Sequence, residues 1–399
     1  MSEQDAGRAD ALRHELSLWA GVRPGQVRIV RSPYRVCPLG AHVDHQLGCV
    51  TGMALDRAVL LAFAPRADCL VAVRSRQFPG GVQFRLEDIP ARPAADWADY
   101  ARGAALALRE RGGLTTGITA LVDGHTNAGG LSSSAAVGVA YLLALEAANG
   151  MALGAEENIQ LDRIIENAYT GLNNGILDQA SILLSRRGQL LHLDCRDGAW
   201  ELAPLGAGDF VVAVLFSGLR VPLAQTDYNR RVGECRRAAE LLLRAAGLPP
   251  VDVPHLRAVP EEVFAQCGSA LPAPLRRRAA HFFGEQERVR RGMELWRRGD
   301  LAGFGWLVSE SGQSSVENYE CGNPYLRSAF EVLRDCPGVY GARFSGAGFR
   351  GCCIGLAEPG AEAEIARTAL DAYLRAHPDM EGEAEVYFCT SADGAGFLS

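Results

Sequence analysis

Apolar and polar positions alternate with two periods along the chain, and the period changes from segment to segment. Residues 7–20 follow a helical spacing and predict a short amphipathic helix, followed by a turn at Pro24-Gly25. Val27 to Val30 predicts a strand, and so do Leu60 to Ala64 and Leu70 to Val73, which bracket Pro65-Arg66. The Ala/Leu-rich run Asp99 to Arg109 predicts a helix, and Gly117 to Val122 a strand. A Gly/Ser loop at 128–134 leads into a strong helix from Ala135 to Ala148, which Asn149-Gly150 stops. Glu156 to Tyr169 has a helical period, while Gln189 to Leu193 and Phe210 to Phe216 are strand-like. Helices dominate 230–312, a strand-loop-strand unit covers 339–356, and a helix spans 361–376. Strands and helices mix without regular βαβ alternation, which predicts an α+β fold. The loop-like stretch Pro204 to Gly208 predicts a division into two domains, 1–205 and 206–399.

Length supports that division, because 399 residues exceed an ordinary single domain. Apolar residues make up 48% and charged residues 22%, enough for a sizeable core and unlike a disordered chain. A net charge of -7 with no long basic run argues against nucleic acid or an anionic membrane as partner. A small anionic substrate in a locally positive pocket remains compatible with it. The cysteines number 11, form no CxxC pair and have no zinc-like spacing, which points to reduced thiols in a cytoplasmic setting. The polar segment Met1 to Leu12 lacks a signal-peptide core, and no apolar run approaches the ~18 residues of a membrane span.

Four segments could carry chemistry. Asn127 to Ala136 reads N-A-G-G-L-S-S-S-A-A and opens a helix. Gly129 and Gly130 allow close backbone approach, Ser132, Ser133 and Ser134 add hydroxyls, and the helix start beyond Leu131 and Ala135 favours an anion. The same residues would also serve an ordinary capped loop. No G-K-[ST] follows, so this is not a Walker A loop. Gly346 to Gly351 matches G-x-G-x-x-G, but apolar, strand-like residues follow it at Cys352 to Leu356, where a dinucleotide-binding loop must open a helix. A Gly-rich turn between strands is the better description. Pro33 to Gln46 gathers Arg35, His42, Asp44 and His45 on a presumptive loop, a set suited to polyhydroxyl recognition, to a partial metal site or simply to a solvated surface. Asp178, after the turn at Gly175, is by itself as consistent with a helix cap as with a functional carboxylate.

The order of these segments, across roughly residues 25 to 360, resembles the GHMP kinases and within them the galactokinase branch. Arg35 to Gln46 is similar to the galactokinase signature G-R-V-N-L-I-G-E-H-T-D-Y-N, Gly130 to Ala136 to the G-L-S-S-S-A nucleotide loop, and Gly175 to Gln179 to G-I-M-D-Q. Leu193 to Arg196 resembles the I-D-C-R that follows in the family, and Ser345 to Gly351 resembles T-G-A-G-F-G-G. A narrower likeness, carried by S-P-Y-R-V-C-P-L-G-A-H-V-D-H-Q, N-G-I-L-D-Q, E-N-Y-E-C-G and the stretch from Gly338 to Cys353, is to the galacturonokinases, uronic-acid 1-kinases best known in plants.

The resemblance implies a two-domain GHMP kinase fold, with an N-terminal ribosomal-S5-like nucleotide-binding domain and a C-terminal ferredoxin-like domain. It implies phosphoryl transfer from MgATP to the anomeric hydroxyl of D-galacturonate, in a monomer or homodimer. Asp178 and Arg35 would be catalytic. Ala41, His42, Asp44, His45, Gly175 and Tyr228 would meet the sugar. Gly129 to Ala135 with Gly346, Ala347 and Gly348 would hold ATP, and Ser134 with Glu166 would hold Mg2+. Where galactokinases carry a Glu that holds the 6-hydroxyl, this chain has Ala41. Two carboxylates ~4 Å apart repel by about 1 kcal/mol in water and roughly 4 kcal/mol at an effective dielectric of 20, so the alanine suits a C6 acid. His45 replaces a family Tyr, and His45, Arg231 or Arg220 would be the donor to that acid. The alternatives implied are a kinase of galactose or another hexose or uronate, and a non-catalytic sugar and ATP sensor.

Overall fold

The computed structural model describes residues 3–125, 127–220 and 226–398. Among the described residues two sheets and eleven α-helices make up the fold, as an α+β mixture. The first sheet comes mostly from the first half of the chain: β1 (Arg28–Val36), β2 (Cys49–Arg66), β3 (Leu70–Ser75), β4 (Gly81–Arg85), β5 (Gly117–Asp123), β6 (Gln189–Asp194) and β7 (Trp200–Pro204). The second holds β8 (Val211–Phe216), β9 (Val339–Phe344), β10 (Cys352–Ala357) and β11 (Glu385–Cys389) in the order β11-β8-β10-β9, antiparallel throughout. The last strand, β12 (Gly396–Leu398), returns to pair with Ile29 to Arg31 of β1 in the first sheet.

Strand β2 organises the first sheet. It is 18 residues long; it pairs with β1 along most of its length, with β5 through Leu60 to Arg66 and with β6 through Cys49 to Gly52. Only β3 and β5 run parallel. The helix α1 (Glu3–Ala20) lays Ala9, Leu12 and Leu16 on Leu60, Ala62 and Leu121. The opposite face carries α2 (Asp99–Arg109), α3 (Ser133–Ala148), α4 (Ala155–Ile164) and α5 (Leu177–Leu184). Helix α3 is buried almost all round, as its Ala/Val/Leu composition requires of a helix with little polar face.

Between the sheets' contributions run α6 (Tyr228–Ala245), α7 (Glu261–Cys267), α8 (Ala273–Arg298), α9 (Leu301–Glu317) and α10 (Pro324–Arg334); α11 (Glu362–Ala376) covers the second sheet. Helix α10 shows how local sequence sets an element. Pro324 takes the first helical position, Asn323 Oδ1 accepts from the Leu326 N–H at 2.9 Å, and Leu326, Ala329, Phe330 and Leu333 form one buried stripe.

Three differences from the sequence reading matter for the site. The first strand runs on to Val36, so Arg35 lies at the buried end of β1 and not on a loop. The helical run expected over 156–169 stays regular only to Ile164, then widens into a π turn over Ile165–Tyr169, and that turn carries Glu166. The short strands β4, β7, β11 and β12 had no expectation, because three to five residues carry too little period to signal themselves.

Candidate active site

Arg35 leaves the end of β1, where its N–H donates to the Leu131 carbonyl at 3.2 Å, tying strand to glycine loop. Its guanidinium Nε donates to Asp178 Oδ1 at 2.7 Å and its Nη1 to the Gly130 carbonyl at 3.3 Å. Asp178 stands in the first turn of α5, and its other oxygen accepts from the Ser132 hydroxyl. Burial works against the Arg35 charge, but the Asp178 carboxylate beside it outweighs that, so the guanidinium pKa is raised. The Arg35 side chain is 3% exposed while that of Asp178 is 21% exposed, so the carboxylate is the half of the pair that faces the cavity.

Ser132 has a left-handed backbone, φ 56°, unusual for a residue with a Cβ. That conformation puts its hydroxyl on Asp178 and starts α3 with no side chain capping the first N–H groups. The glycine loop before it lies directly on the β9–β10 hairpin. A Cβ on Gly351 (φ 91°) would sit 2.4 Å from the Gly129 carbonyl carbon, and one on Gly346 (φ 67°) would sit 2.8 Å from the Gly130 oxygen. Ser345 Oγ also donates to the Gly130 carbonyl at 2.8 Å. The two glycine-rich segments therefore form one backbone cradle, and the segment 346–351 is a hairpin turn between strands, as its apolar continuation required. Ala135 and Leu131 are fully buried beneath it.

The cavity beside Asp178 is lined by Arg35, Ala41, His42, Asp44, Tyr228 and Arg343, with Ser134, Glu166, Gly346 and Ala347 at its other end. Asp44 Oδ2 accepts from the Gly175 N–H at 3.1 Å, and a Cβ on Gly175 would meet Asp44 within 2.5–2.8 Å. Gly175 thus acts by letting its backbone close on Asp44. Burial, aided by Asp178, raises the Asp44 pKa to about 6. His42, also in a left-handed conformation at φ 58°, stacks on Tyr319 with ring centroids 4.2 Å apart. Burial and the neighbouring His281 hold it neutral, its pKa well below the usual imidazole range. Tyr228 stays a neutral phenol, raised well above its usual pKa by burial and by Asp44. The Gly40 and Ala41 N–H groups donate to Glu285 Oε2 at 2.8 and 3.1 Å, which fixes the loop that presents the Ala41 methyl.

Not every expected residue reaches this cavity. His45 is buried behind it, its Nε2 3.1 Å from the Tyr319 hydroxyl and its Nδ1 3.0 Å from Gln46 Nε2; burial and Arg236 lower its pKa to about 3. Arg231 is spent on the Tyr319 and Glu320 carbonyls and on Glu234, and half-exposed Arg220 on Glu383 and Asn127. None of the three donors considered for a C6 acid lines the cavity. Arg343, missed in the sequence, does. Its signal was a lone charge in the otherwise apolar strand Val339–Phe344. Arg350, in the hairpin turn, is largely buried near Tyr100, and burial lowers its pKa.

Glu166 accepts from Gln179 Nε2 at 3.1 Å and from Asn174, and burial with Asp178 raises its pKa to about 7. Ser134 lines the cavity beside Glu166. One turn away, both oxygens of buried Asp162 lack a partner, and burial and Glu166 raise its pKa far above the carboxylate range. The Glu166 carboxyl and the Ser134 hydroxyl both line the cavity, and oxygen donors of this kind fit a hard divalent cation. Among the described residues no three His, Cys, Asp or Glu side chains converge as a complete cage, which suits an ion that keeps waters and phosphate oxygens as ligands.

Comparisons with known proteins identify the family and the fold. Residues 99–186 match the model of the GHMP kinases N terminal domain, and residues 293–376 that of the GHMP kinases C terminal domain. The chain is 42% identical to a galacturonokinase of Arabidopsis thaliana over 424 aligned positions that take in 100% of both chains. It is 34% identical to a galactokinase of Roseiflexus sp., covering 96% of each. Its structure superposes on Lactococcus lactis galactokinase complexed with galactose with a TM-score of 0.89, at 26% identity, over 97% of this chain and 99% of that one.

Proposed function

The chain belongs to the GHMP kinases, and from that premise we propose that it is a galacturonokinase, converting D-galacturonate and ATP to α-D-galacturonate 1-phosphate and ADP. Its fold is the two-domain GHMP kinase fold, and the two family matches fall on either side of the proposed division at residue 205. Ala41 carries the substrate choice. Its methyl lines the cavity at the position of the galactokinase Glu, so no fixed acid opposes a C6 carboxylate there.

Each end of the cavity has a role in this reading. The backbone cradle of Gly129, Gly130, Gly346 and Gly348 with the open N–H groups at Ser133 to Ala135 receives the ATP phosphates, as a helix start favours anions. Asp44, His42 and Tyr228 hold the sugar hydroxyls. Asp178, held by Arg35 and Ser132, accepts a hydrogen bond from the anomeric hydroxyl. As the hydroxyl oxygen bonds to the γ-phosphorus, the bond from that phosphorus to the β,γ-bridging oxygen breaks, and the hydroxyl proton passes to Asp178. Arg35 holds Asp178 in place through its Nε before the step and offsets phosphoryl charge during it. Ser134 and Glu166 would hold Mg2+, which supplies charge neutralisation on the phosphates. The presence of Asp178, Arg35 and Ser132 to Ser134 argues for turnover over a sensor role.

The test is ADP release with galacturonate, glucuronate and galactose side by side, with the product identified by phosphorus NMR. The expected outcome is highest kcat/KM for galacturonate; a preference for galactose would make the chain a neutral-hexose kinase. Among the described residues no helix is long and apolar enough to cross a membrane.

A further inference from the structure

We propose that Arg343 is the residue that receives the C6 carboxylate of the sugar and so sets the preference for a uronic acid, an inference that rests on the galacturonate reading above.

Arg343 ends β9, lines the same cavity as Ala41 and His42, and is 1% exposed. All its contacts are neutral. Nε donates to the Phe344 carbonyl at 2.9 Å, and Nη1 to Ser311 Oγ at 3.1 Å and more weakly to the Pro38 carbonyl at 3.4 Å. No described residue accepts from Nη2, yet that nitrogen is not among the sealed, unpartnered polar atoms. Because Arg343 lines the cavity, Nη2 is the nitrogen left for a ligand there. No described carboxylate pairs with Arg343. The nearest acid along its hydrogen bonds is Glu285, one step beyond Ser311 at 3.0 Å. Glu285 already serves Arg288 at 2.6 Å and the Gly40 and Ala41 N–H groups.

A buried guanidinium without an anion is costly, and proteins keep one where a ligand supplies the counter-charge. The other buried cation of the cavity, Arg35, is committed to Asp178. Arg343 is thus the cation of the cavity with unspent charge. Its bond to the Pro38 carbonyl places it against the loop that carries Ala41 and His42, the sugar side of the site. A guanidinium held at two nitrogens presents the third in a fixed direction, which favours a planar carboxylate over a hydroxyl. Ala41 then has a second consequence. Its small side chain leaves Arg343 unpaired until the substrate arrives.

The experiment compares kcat/KM for D-galacturonate and for uncharged D-galacturonamide in the unaltered enzyme, in Arg343→Gln and in Arg343→Lys, with the KM for ATP and Tm measured alongside. The unaltered enzyme should favour the acid by about ten- to a hundredfold, the worth of a hydrogen bond to a charged group. Arg343→Gln should bring the two substrates to near parity with the KM for ATP unchanged, and Arg343→Lys should restore part of the preference. If Arg343→Gln does not fold, the lysine variant decides, because its shorter, single-point ammonium must still lower the acid-to-amide ratio. A ratio unchanged in the folded variants overturns the assignment of Arg343 while leaving a galacturonate kinase intact. A raised KM for ATP with an unchanged ratio overturns it in favour of a phosphate contact. An unaltered enzyme indifferent to the carboxylate overturns the galacturonate reading itself.

Discussion

The two ends of the active cavity are built from different materials. The end proposed for phosphate is backbone: glycines of two loops in contact with each other, and the helix start of α3 with no side chain capping it. The end proposed for sugar is side chains: Ala41, His42 and Asp44 from one loop, Tyr228 from α6 and Arg343 from β9. Backbone donors read a charge that every nucleotide shares and need only close approach, so a short contiguous motif suffices. Side chains read a particular pattern of hydroxyl and carboxylate groups, so they must converge from distant parts of the chain. The Arg35–Asp178 pair joins the ends, one partner from each of two elements that flank the glycine loop.

Breaking the junction should have the largest effect. Asp178→Asn removes the proton acceptor and leaves Arg35 without its charge partner; kcat should fall by about 10²- to 10⁴-fold, the usual weight of a positioned base, with ATP binding retained in a titration. Retained turnover would remove Asp178 from the chemistry. At the phosphate end, Gly351→Ala forces a Cβ within 2.4 Å of the Gly129 backbone at a positive φ. A loss of at least about 1–3 kcal/mol of stability should follow, seen as a lower Tm, together with a higher KM for ATP and a smaller change in KM for the sugar. A sugar-specific defect would mean the cradle is not the nucleotide's.

At the sugar end the effects should be smaller and selective. Ala41→Glu returns a carboxylate to the C6 position and gives Arg343 an internal partner. Galacturonate kcat/KM should drop by about 1–3 kcal/mol, and galactose should lose much less. Equal losses on both sugars would refute the charge account. The mildest test is pH. Asp44 accepts from Gly175 as a carboxylate, and its pKa is raised to about 6, so it is ionised above that pH and protonated below it. The KM for galacturonate should therefore be flat from pH 7 to 8 and rise by up to about tenfold per unit as pH falls below about 6. Asp44→Asn should abolish that rise.

The same contrast explains what was legible in the chain. Both glycine loops could be read because each is contiguous and its glycines answer a local need, close backbone approach. Asp178 and Arg35 were singled out by the segments that resemble the family's signatures, since Asp178 after Gly175 by itself fitted a helix cap as well; the strand position of Arg35 was not read. The sugar-side cation was not readable. His45, Arg231 and Arg220 looked equally available, and only burial and prior partners separate them from Arg343. Glu166 was named only through the family resemblance, and neither the π turn that presents it nor its neighbour Asp162 was foreseen.

Sequence alone determined much of the alternation of elements, the α+β class and the two glycine-rich loops, because these rest on periodicity and on residues close together in the chain; the role proposed for Asp178 came from the family resemblance. Tertiary structure alone decided that β12 returns to β1, which hydrogen-bonding groups are already spent, and which arginine lines the cavity without a carboxylate partner. The physical reason is that burial and the satisfaction of polar groups are properties of neighbours in space. A guanidinium 305 residues from the Pro38 carbonyl it touches shows neither property until the chain has folded.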